Sequence, residues 1–348
     1  MNNNRMVPAV IEGLVRTPLF VLLIIMVLAV HFTTDSFFAW QNVRGILQDS
    51  AVIAIVAIPV AMLLISGYID LSVGSSLALG GVVAAVVMDK GAGEPVVAIV
   101  LAMLAGAAVG LANALAVTVL GLNSFITTLG TLTAVRGIAQ LISPAPRNNF
   151  GDQFGFLGVG TVAGIPLSVW IAGILLVVAA VFLTQTPVGR HVYALGVNRE
   201  AAYLSGVHVK VIPFVLFVLS GAFAGFAGTI VVARLNSAPA GQIGAGFELV
   251  VLTAVLLGGV ALTGGEGSVF GVLVGVLFYG ALNNSLVLLG VTTFWQSVAS
   301  GLALIAAIGL SLVTHVLRDR LAAAKARRLA ALTPGHASSD RGEPTKVS

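Results

Sequence analysis

The sequence predicts an all-α, polytopic membrane protein with about ten (eight to ten) membrane-spanning helices. Of its 348 residues, 58% are hydrophobic and only 9% are charged, whereas a soluble domain carries about 25% charged residues. Uncharged runs long enough for a spanning helix of about 20 residues recur along the chain. The 41 glycines fit the same class, because small residues let helices pack closely in lipid.

Gly, Pro and polar residues interrupt several runs, so some helices are predicted to be broken or to cross only half of the bilayer. The uncharged run 267–317 is too long for one span and is divided at the weakly polar Val291–Gln296. No small-x-small cleavage pattern follows the first helix, which is therefore predicted to stay as an uncleaved anchor. The predicted helices lie at about 18–34, 44–66, 71–88, 95–120, 125–142, 166–184, 211–235, 248–263, 268–290 and 297–317.

The positions of the Lys and Arg residues predict that both termini face the cytoplasm. This topology places four basic residues on the outer side of the membrane, Arg44, Lys90, Arg147 and Arg234, and places Arg136 within a helix. The pI near 9.8 therefore reflects membrane topology, and no nucleic-acid partner is predicted. The other twelve of the 17 Lys and Arg fall inside. They are Arg5, Arg16, Arg190, Arg199, Lys210, Arg318, Arg320, Lys325, Arg327, Arg328, Arg341 and Lys346.

The composition and motifs predict neither a cofactor nor a catalytic centre. The chain has no Cys, and its five His are scattered without a second ligand at helical spacing, so no metal site is expected. No Gly-x4-Gly-Lys-Ser/Thr phosphate loop occurs. Ser-His-Asp and His-Glu-x-x-His patterns are missing too, so a membrane-embedded enzyme is not predicted.

The first polar break, Ser66–Ser76, separates two apolar runs. Gly67 allows a tight turn there, and Asp70 or Ser72 can accept the free N–H groups at the start of the next helix. Asp70 is interpreted first as a helix cap. Because acids within apolar segments often mark a transport pathway, Asp70 and Ser72 are also candidates for a path or gate.

Two further breaks supply the other path or gate candidates. Gly121–Thr131 is followed by Arg136 inside an apolar helix, where an Arg side chain must face protein or water. Arg136 either contacts a solute or bonds backbone carbonyls at a broken helix, and the sequence leaves both interpretations open. Leu262–Gly271 contains three glycines before Ser268 and one acid, Glu266. Asp70 and Glu266 are interpreted as the only acids at helix breaks. The added candidates are Asn123, Thr127, Thr128, Arg136 and Glu266.

The fourth break, Thr186–Lys210, is the one sizeable polar segment between predicted helices. Asn198 is a favourable N-cap, Glu200 favours the first helical turn, and Gly206 is a favourable C-cap. A short helix in a cytoplasmic loop is therefore predicted, with a solvated loop as the alternative.

Together these segments resemble the permease subunits of bacterial ABC importers for ribose, xylose and related monosaccharides. The resemblance spans roughly residues 40–315. Related permeases for branched-chain amino acids and nucleosides share the glycine-rich plan, so those solutes remain alternatives. One departure from the general importer pattern is Pro213, which comes early after the Glu-Ala-Ala element. The matching segments are Gly67–Ser75, Phe125–Thr131, Gly196–Gly206 and Leu257–Gly271.

The resemblance implies a permease domain at 1–317, with a coupling loop at about 186–210, and a basic, partly disordered cytoplasmic tail at 318–348. It implies a multi-pass protein of the bacterial cytoplasmic (inner) membrane that pairs with an identical or different second permease. Separate cytoplasmic ATPase subunits would drive it, and a periplasmic or lipid-anchored binding protein would deliver the sugar. The implied coupling residues are Asn198, Arg199, Glu200, Ala201, Ala202 and Gly206. The rival hypothesis is an ion-coupled secondary transporter in which Asp70 or Glu266 binds a proton or cation.

Overall fold

The computed structural model of the chain describes residues 18–34, 36–89 and 94–309. Several sequence-based assignments lie outside these ranges. They are the charges of Arg5, Arg16 and Lys90, the end of the last predicted helix, and the tail 318–348.

The described chain is helical, with two pairs of very short antiparallel strands. Strand β1 (Arg147–Asn148) pairs with β4 (Ser237–Ala238), and β2 (Thr161–Val162) pairs with β3 (Ile165–Pro166). Helix α4 continues as a π-helical turn, Leu115–Val119. The helices are α1 (Pro18–Thr33), α2 (Trp40–Ile65), α3 (Val73–Val87), α4 (Pro95–Ala114), α5 (Ser124–Ile142), α6 (Asp152–Val159), α7 (Leu167–Gln185), α8 (Pro187–Val197), α9 (Arg199–Leu204), α10 (Val211–Leu235), α11 (Phe247–Leu257), α12 (Val269–Leu288) and α13 (Thr293–Gly309).

Within the described ranges, six helices are long and apolar enough to cross a membrane: α2, α4 with its π turn, α5, α7, α10 and α12. Apolar segments of 10–17 residues form α3, α11, α13 and most of α1. The class of helical, polytopic membrane protein is therefore confirmed. A helix of the structure corresponds to each predicted hydrophobic segment.

Two predicted boundaries beside glycines were wrong, and α2 begins at Trp40, four residues before the predicted position. Helix α11 ends at Leu257, well before the predicted position 263, because Gly258 and Gly259 follow and Gly259 has a φ of 81°. The break after α12 is shorter than Val291–Gln296, since Gly290 turns the chain with a φ of 72° and α13 begins at Thr293. In both places glycine ends the helix, because it adopts a positive φ without steric cost.

Helix α10 lies at the centre of the bundle and packs against α2, α3, α4 and α6. Its contact with α4 is made by glycines. A Cβ added to Gly106 would overlap the carbonyl oxygen of Gly221, and one added to Gly110 would overlap that of Phe217. Glycine is required here because the two backbones touch, which is how helices associate tightly in lipid.

Most of the described cations lie at the two ends of the bundle. At the end where α2 begins and α10 finishes, Arg147 pairs with Asp89, and Arg234 pairs with Asp49. Arg44 at that end donates to the carbonyl of Val159. Helices α8 and α9 lie at the opposite end, where α2 finishes and α10 begins. The described cations other than Arg136 thus lie at one end of the bundle or the other.

Candidate functional site

A buried carboxylate links the break after α2 to the central helix α10. Asp70 is 3% exposed, and its Oδ1 accepts hydrogen bonds from the backbone N–H of Ser72 (2.9 Å) and the Ser72 hydroxyl (2.6 Å). Its Oδ2 accepts from the hydroxyl of Ser220 (2.7 Å). Asp70 therefore bonds a backbone N–H at the start of α3, and Ser72 provides no side-chain cap.

The hydrogen-bond network continues from Ser72 through α4 to α5. The amide nitrogen of Asn113 donates to Ser72 Oγ over 2.8 Å, and the hydroxyl of Thr131 donates to Asn113 Oδ1 over 2.7 Å. Thr131 lies on the rim of an open groove of about 530 Å³ that Asn123 and Thr127 also line. A continuous chain of polar groups therefore runs from this open groove to the buried Asp70.

The three polar candidates at the start of α5 satisfy most of their hydrogen-bonding groups locally. Asn123 Oδ1 caps the helix by accepting from the N–H of Ile126 (3.2 Å). The hydroxyls of Thr127 and Thr128 donate to the carbonyls four residues earlier, each over 2.8 Å. Asn123 is exposed and Thr127 is half-buried, and both line the groove, whereas Thr128 is fully buried and does not line it.

Arg136 bonds backbone carbonyls, as one of its two sequence-based interpretations had it, but they belong to a turn segment and not to a broken helix. Nη1 donates to the carbonyl of Ile243 (3.1 Å) and Nη2 to that of Gly244 (2.7 Å). These residues belong to the irregular segment that leads into α11. The guanidinium therefore binds two carbonyls of this segment, one of which, that of Gly244, also accepts from the N–H of Phe247 at the start of the helix (3.2 Å). The interaction is strong because the donor is charged.

Sequence reasoning missed Glu248, in the first turn of α11. The assignment of Asp70 and Glu266 as the only acids at helix breaks was therefore wrong. Oε2 of Glu248 is buried without a hydrogen-bond partner, and a Cβ added to Gly74 would overlap it. Arg136 is the one cation that acts on this carboxylate electrostatically among the described groups. The first turns of α3 and α11 thus meet beside a half-buried acid, one of whose oxygens is fully buried.

Glu266 is placed differently from Asp70. Its side chain is exposed, in the glycine-rich turn between α11 and α12. Within the described ranges, no group of three or more His, Asp or Glu residues could hold a metal ion.

The predicted short helix is α9, capped at both ends as the sequence indicated. Asn198 Oδ1 accepts from the N–H of Ala201 over 2.9 Å. Gly206 has a φ of 82°. Its N–H and that of the following residue bond back to the carbonyls of Tyr203 and Ala202 (2.9 and 3.0 Å). This is the Schellman arrangement, in which a left-handed glycine closes a helix.

Helix α9 presents an apolar surface together with its charges. Tyr203 and Leu204 are 66% and 79% exposed, and Val197 just before the helix is 75% exposed. Glu200 in the first turn is exposed as well. Because exposed apolar side chains grouped outside a membrane mark interaction sites, these side chains form a candidate docking surface.

Close backbone packing connects α8 and α9 to two of the polar breaks. A Cβ added to Gly196 would overlap the carbonyl oxygen of Ile65 and the backbone nitrogen of Gly265. The Gly265 N–H donates to that same carbonyl over 2.8 Å. The Arg199 guanidinium lies 5.9 Å from the centre of the Tyr68 ring. This is a cation–π contact, and Tyr68 lies two residues before Asp70 in the chain.

Four polar side chains of this site were not predicted from the sequence as path or gate candidates: Asn113, Thr131, Ser220 and Glu248. The signal for each was a polar side chain in or beside an apolar run, which is costly in lipid unless satisfied. That signal does not reveal the partner, because Ser and Thr hydroxyls can equally bond a carbonyl of their own helix.

The helical bundle, with six described helices long and apolar enough to cross a membrane, is that of a multi-pass membrane protein. A family model described as "Branched-chain amino acid transport system / permease component" matches residues 42–308. The chain belongs to this family of transport permeases.

Several curated proteins are similar over most of their length. The ribose import permease protein RbsC of Escherichia coli K12 is 38% identical over 291 residues, which cover 82% of this chain and 90% of the relative. RbsC of Bacillus subtilis 168 is 37% identical, with coverages of 82% and 89%. The D-allose transport system permease protein AlsC of Escherichia coli K12 is 36% identical, with coverages of 84% and 89%. No solved structure matches the chain.

Proposed function

We propose that this chain is the permease subunit of an ATP-driven importer and forms the translocation path for a monosaccharide. Relatives that share 36–38% of their residues with it are named for ribose and D-allose. The family description names branched-chain amino acids, so these solutes are the second candidate, with nucleosides a more distant one. The similarity to sugar permeases along most of the chain favours the monosaccharide.

The observation that carries the proposal is the capped helix α9 with its exposed apolar side chains. The chain has no phosphate loop, so ATP would have to be hydrolysed by a partner. ATPase subunits that dock on Tyr203 and Leu204 would be that partner. Asn198 and Gly206 fix the ends of the helix, so it can move as one rigid piece.

Movement of α9 would reach the middle of the bundle through packed backbone. Gly196 lies against Ile65 and Gly265, and Arg199 lies over Tyr68. Both contacts adjoin the break that holds Asp70. Asp70 bonds Ser220 of the central helix and, through Ser72 and Asn113, the α5 groove. A displacement of α8 and α9 would therefore shift α3, α5 and α10 relative to one another.

The translocation path would follow the open face of α5. Asn123, Thr127 and Thr131 border the groove on this face, and small polar side chains suit a path for a hydroxylated solute. A second permease subunit, identical or different, would close the other side. A periplasmic or lipid-anchored substrate-binding protein would deliver the sugar at the end of the bundle opposite α9.

The hydrogen bonding of Asp70 argues against an ion-coupled transporter. Both carboxylate oxygens are engaged by Ser72 and Ser220, and the residue is 3% exposed. A proton or cation carrier has to exchange its ion with water on each side of the membrane in turn. The ten-span topology with both termini inside, and residence in the bacterial cytoplasmic membrane, belong to the same proposal.

Reconstitution in proteoliposomes with the cognate ATPase and binding protein tests this function. We expect ATP-dependent uptake of a labelled monosaccharide, with no ATP hydrolysis by the isolated chain. Uptake driven by a proton or sodium gradient without ATP would establish the ion-coupled alternative. ATP-dependent uptake of leucine or adenosine, without ribose or allose, would replace the sugar assignment.

A further inference from the structure

A deep apolar groove opens on the outer face of the bundle between α7 and α10, with α2 as its floor. Its volume is about 630 Å³, within the range of about 300–1,000 Å³ typical of ligand pockets. Met62 and Leu216 on the floor are buried, whereas Val178 and Val215 on the two edges are about half exposed. The groove is therefore a defined concave site in a surface that faces lipid.

The length of the groove matches one leaflet of a bilayer. Its lining on α10 extends from Val211, at the start of the helix, to Phe223. Twelve residues of helix rise about 18 Å, and half of the hydrocarbon core is about 15 Å thick. An acyl chain that entered beside α8 would thus be held along its whole length, with its headgroup at the membrane surface.

The lining of the groove includes two histidines and no acid, and two cations adjoin it in the sequence. His191 and His208 line it. Arg190 and Lys210 adjoin lining residues in the sequence, and both are exposed. Neither of these cations is paired with a carboxylate in the described part of the chain. Basic side chains between helices at a membrane surface attract anionic lipid headgroups.

We propose that this groove is a binding site for one anionic phospholipid. Its acyl chain lies between α7 and α10 over Met62 and Leu216, and its phosphate headgroup lies at the mouth beside Arg190 and Lys210. Apolar packing alone would admit any lipid, because bulk hydrocarbon is equally apolar. The basic mouth makes the site selective for negative charge. This inference depends on neither the transported solute nor the ATPase partner.

The test is native mass spectrometry of the purified chain equilibrated with equal amounts of phosphatidylglycerol and phosphatidylcholine. We expect one retained phosphatidylglycerol per chain, in preference to phosphatidylcholine. Val178→Trp should fill the groove and reduce retention at least fivefold. Val177→Trp is the matched control, because Val177 is similarly exposed (65% against 58%) but does not line the groove.

The contribution of charge is tested separately. Arg190→Gln and Lys210→Gln should each weaken phosphatidylglycerol retention about fivefold, whereas Arg199→Gln, at the same end but stacked on Tyr68, should not. Leu219→Trp replaces Val178→Trp if that variant loses its melting transition. Equal retention of the two lipids by the wild-type chain overturns the selectivity. Unchanged retention in both groove-filling variants overturns the location, and points to lipid or another apolar partner bound elsewhere.

Discussion

The hydroxyl of Ser220 donates to Oδ2 of Asp70 over 2.7 Å and so joins residues 150 positions apart in the chain. This bond connects the central helix α10 to the break between α2 and α3. Both residues are almost completely buried. An unpaired polar group at such a position is costly, so the bond stabilises one arrangement of the broken helix against α10.

Replacing Ser220 tests the stabilising role of this bond. Ser220→Ala leaves one carboxylate oxygen of Asp70 without its donor, so the free energy of unfolding should fall by about 1–3 kcal/mol. Equilibrium unfolding in mixed micelles measures the change. The matched control is Ser285→Ala, since Ser285 is also buried but donates to the carbonyl of Ala281 in its own helix. Equal losses in the two variants would contradict a special role for Ser220.

Arg136 and Glu248 are expected to be energetically coupled. Arg136→Gln removes the charged donor to the carbonyls of Ile243 and Gly244 and leaves the half-buried Glu248 carboxylate without its cation. We expect a loss of about 3 kcal/mol or more, since hydrogen bonds to charged groups contribute about 1.5–3 kcal/mol each. Adding Glu248→Gln to Arg136→Gln should recover about 1 kcal/mol or more. Strict additivity in the double-mutant cycle would show that the two groups do not interact.

The glycines of α8 and α9 should respond to substitution in different ways. Gly196→Ala places a methyl group into the backbone of Ile65 and Gly265, so it should abolish ATP-dependent uptake. Gly206 has open space around it and needs only its positive φ, so Gly206→Asn should be tolerated better than Gly206→Val. Gly173→Ala, in open space on α7, is the control. Uptake and ATPase rates in liposomes give the result, and normal uptake by Gly196→Ala would remove the coupling path.

The apolar surface of α9 should determine ATPase docking. Truncating Tyr203 and Leu204 to Ala should weaken co-purification of the ATPase at least tenfold, because buried apolar and aromatic anchors dominate interface energies. Their exposure in the free chain predicts an unchanged melting temperature. Leu141→Ala, at a residue with matched exposure of 81%, should have no effect on docking. ATPase binding at wild-type strength by the double variant would move the docking surface elsewhere.

The proposed orientation is open to cysteine labelling, because the chain contains no Cys. Ser205 and Asn148 are both exposed, at the two opposite ends of the bundle. In intact cells, a membrane-impermeant maleimide should label Asn148→Cys, whereas Ser205→Cys should react only after lysis. The reverse pattern would invert the topology and exclude α9 as the site of ATPase docking.

Local features of the sequence determined the class of protein, the positions of the helices and the capped helix α9. These features are the length of hydrophobic runs, their interruption by Gly and polar residues, and capping side chains. Each affects the backbone only within a few residues of its own position in the sequence. Asn198 and Gly206 therefore cap α9 as expected. The end of α11 was predicted wrongly for the same reason, since the apolar residues continue in the sequence beyond the glycines that end the helix.

Only the tertiary structure decided which polar groups meet inside the bundle. Ser220 bonds Asp70, Thr131 reaches Asp70 through Asn113 and Ser72, and a buried carboxylate oxygen of Glu248 lies against Gly74. Each of these pairings depends on how helices distant in sequence are rotated and how closely they approach. Small residues occur along most of the spans, so the sequence is compatible with many close contacts between pairs of helices. Backbone packing at particular glycines selects among them, and that packing is a property of the assembled bundle.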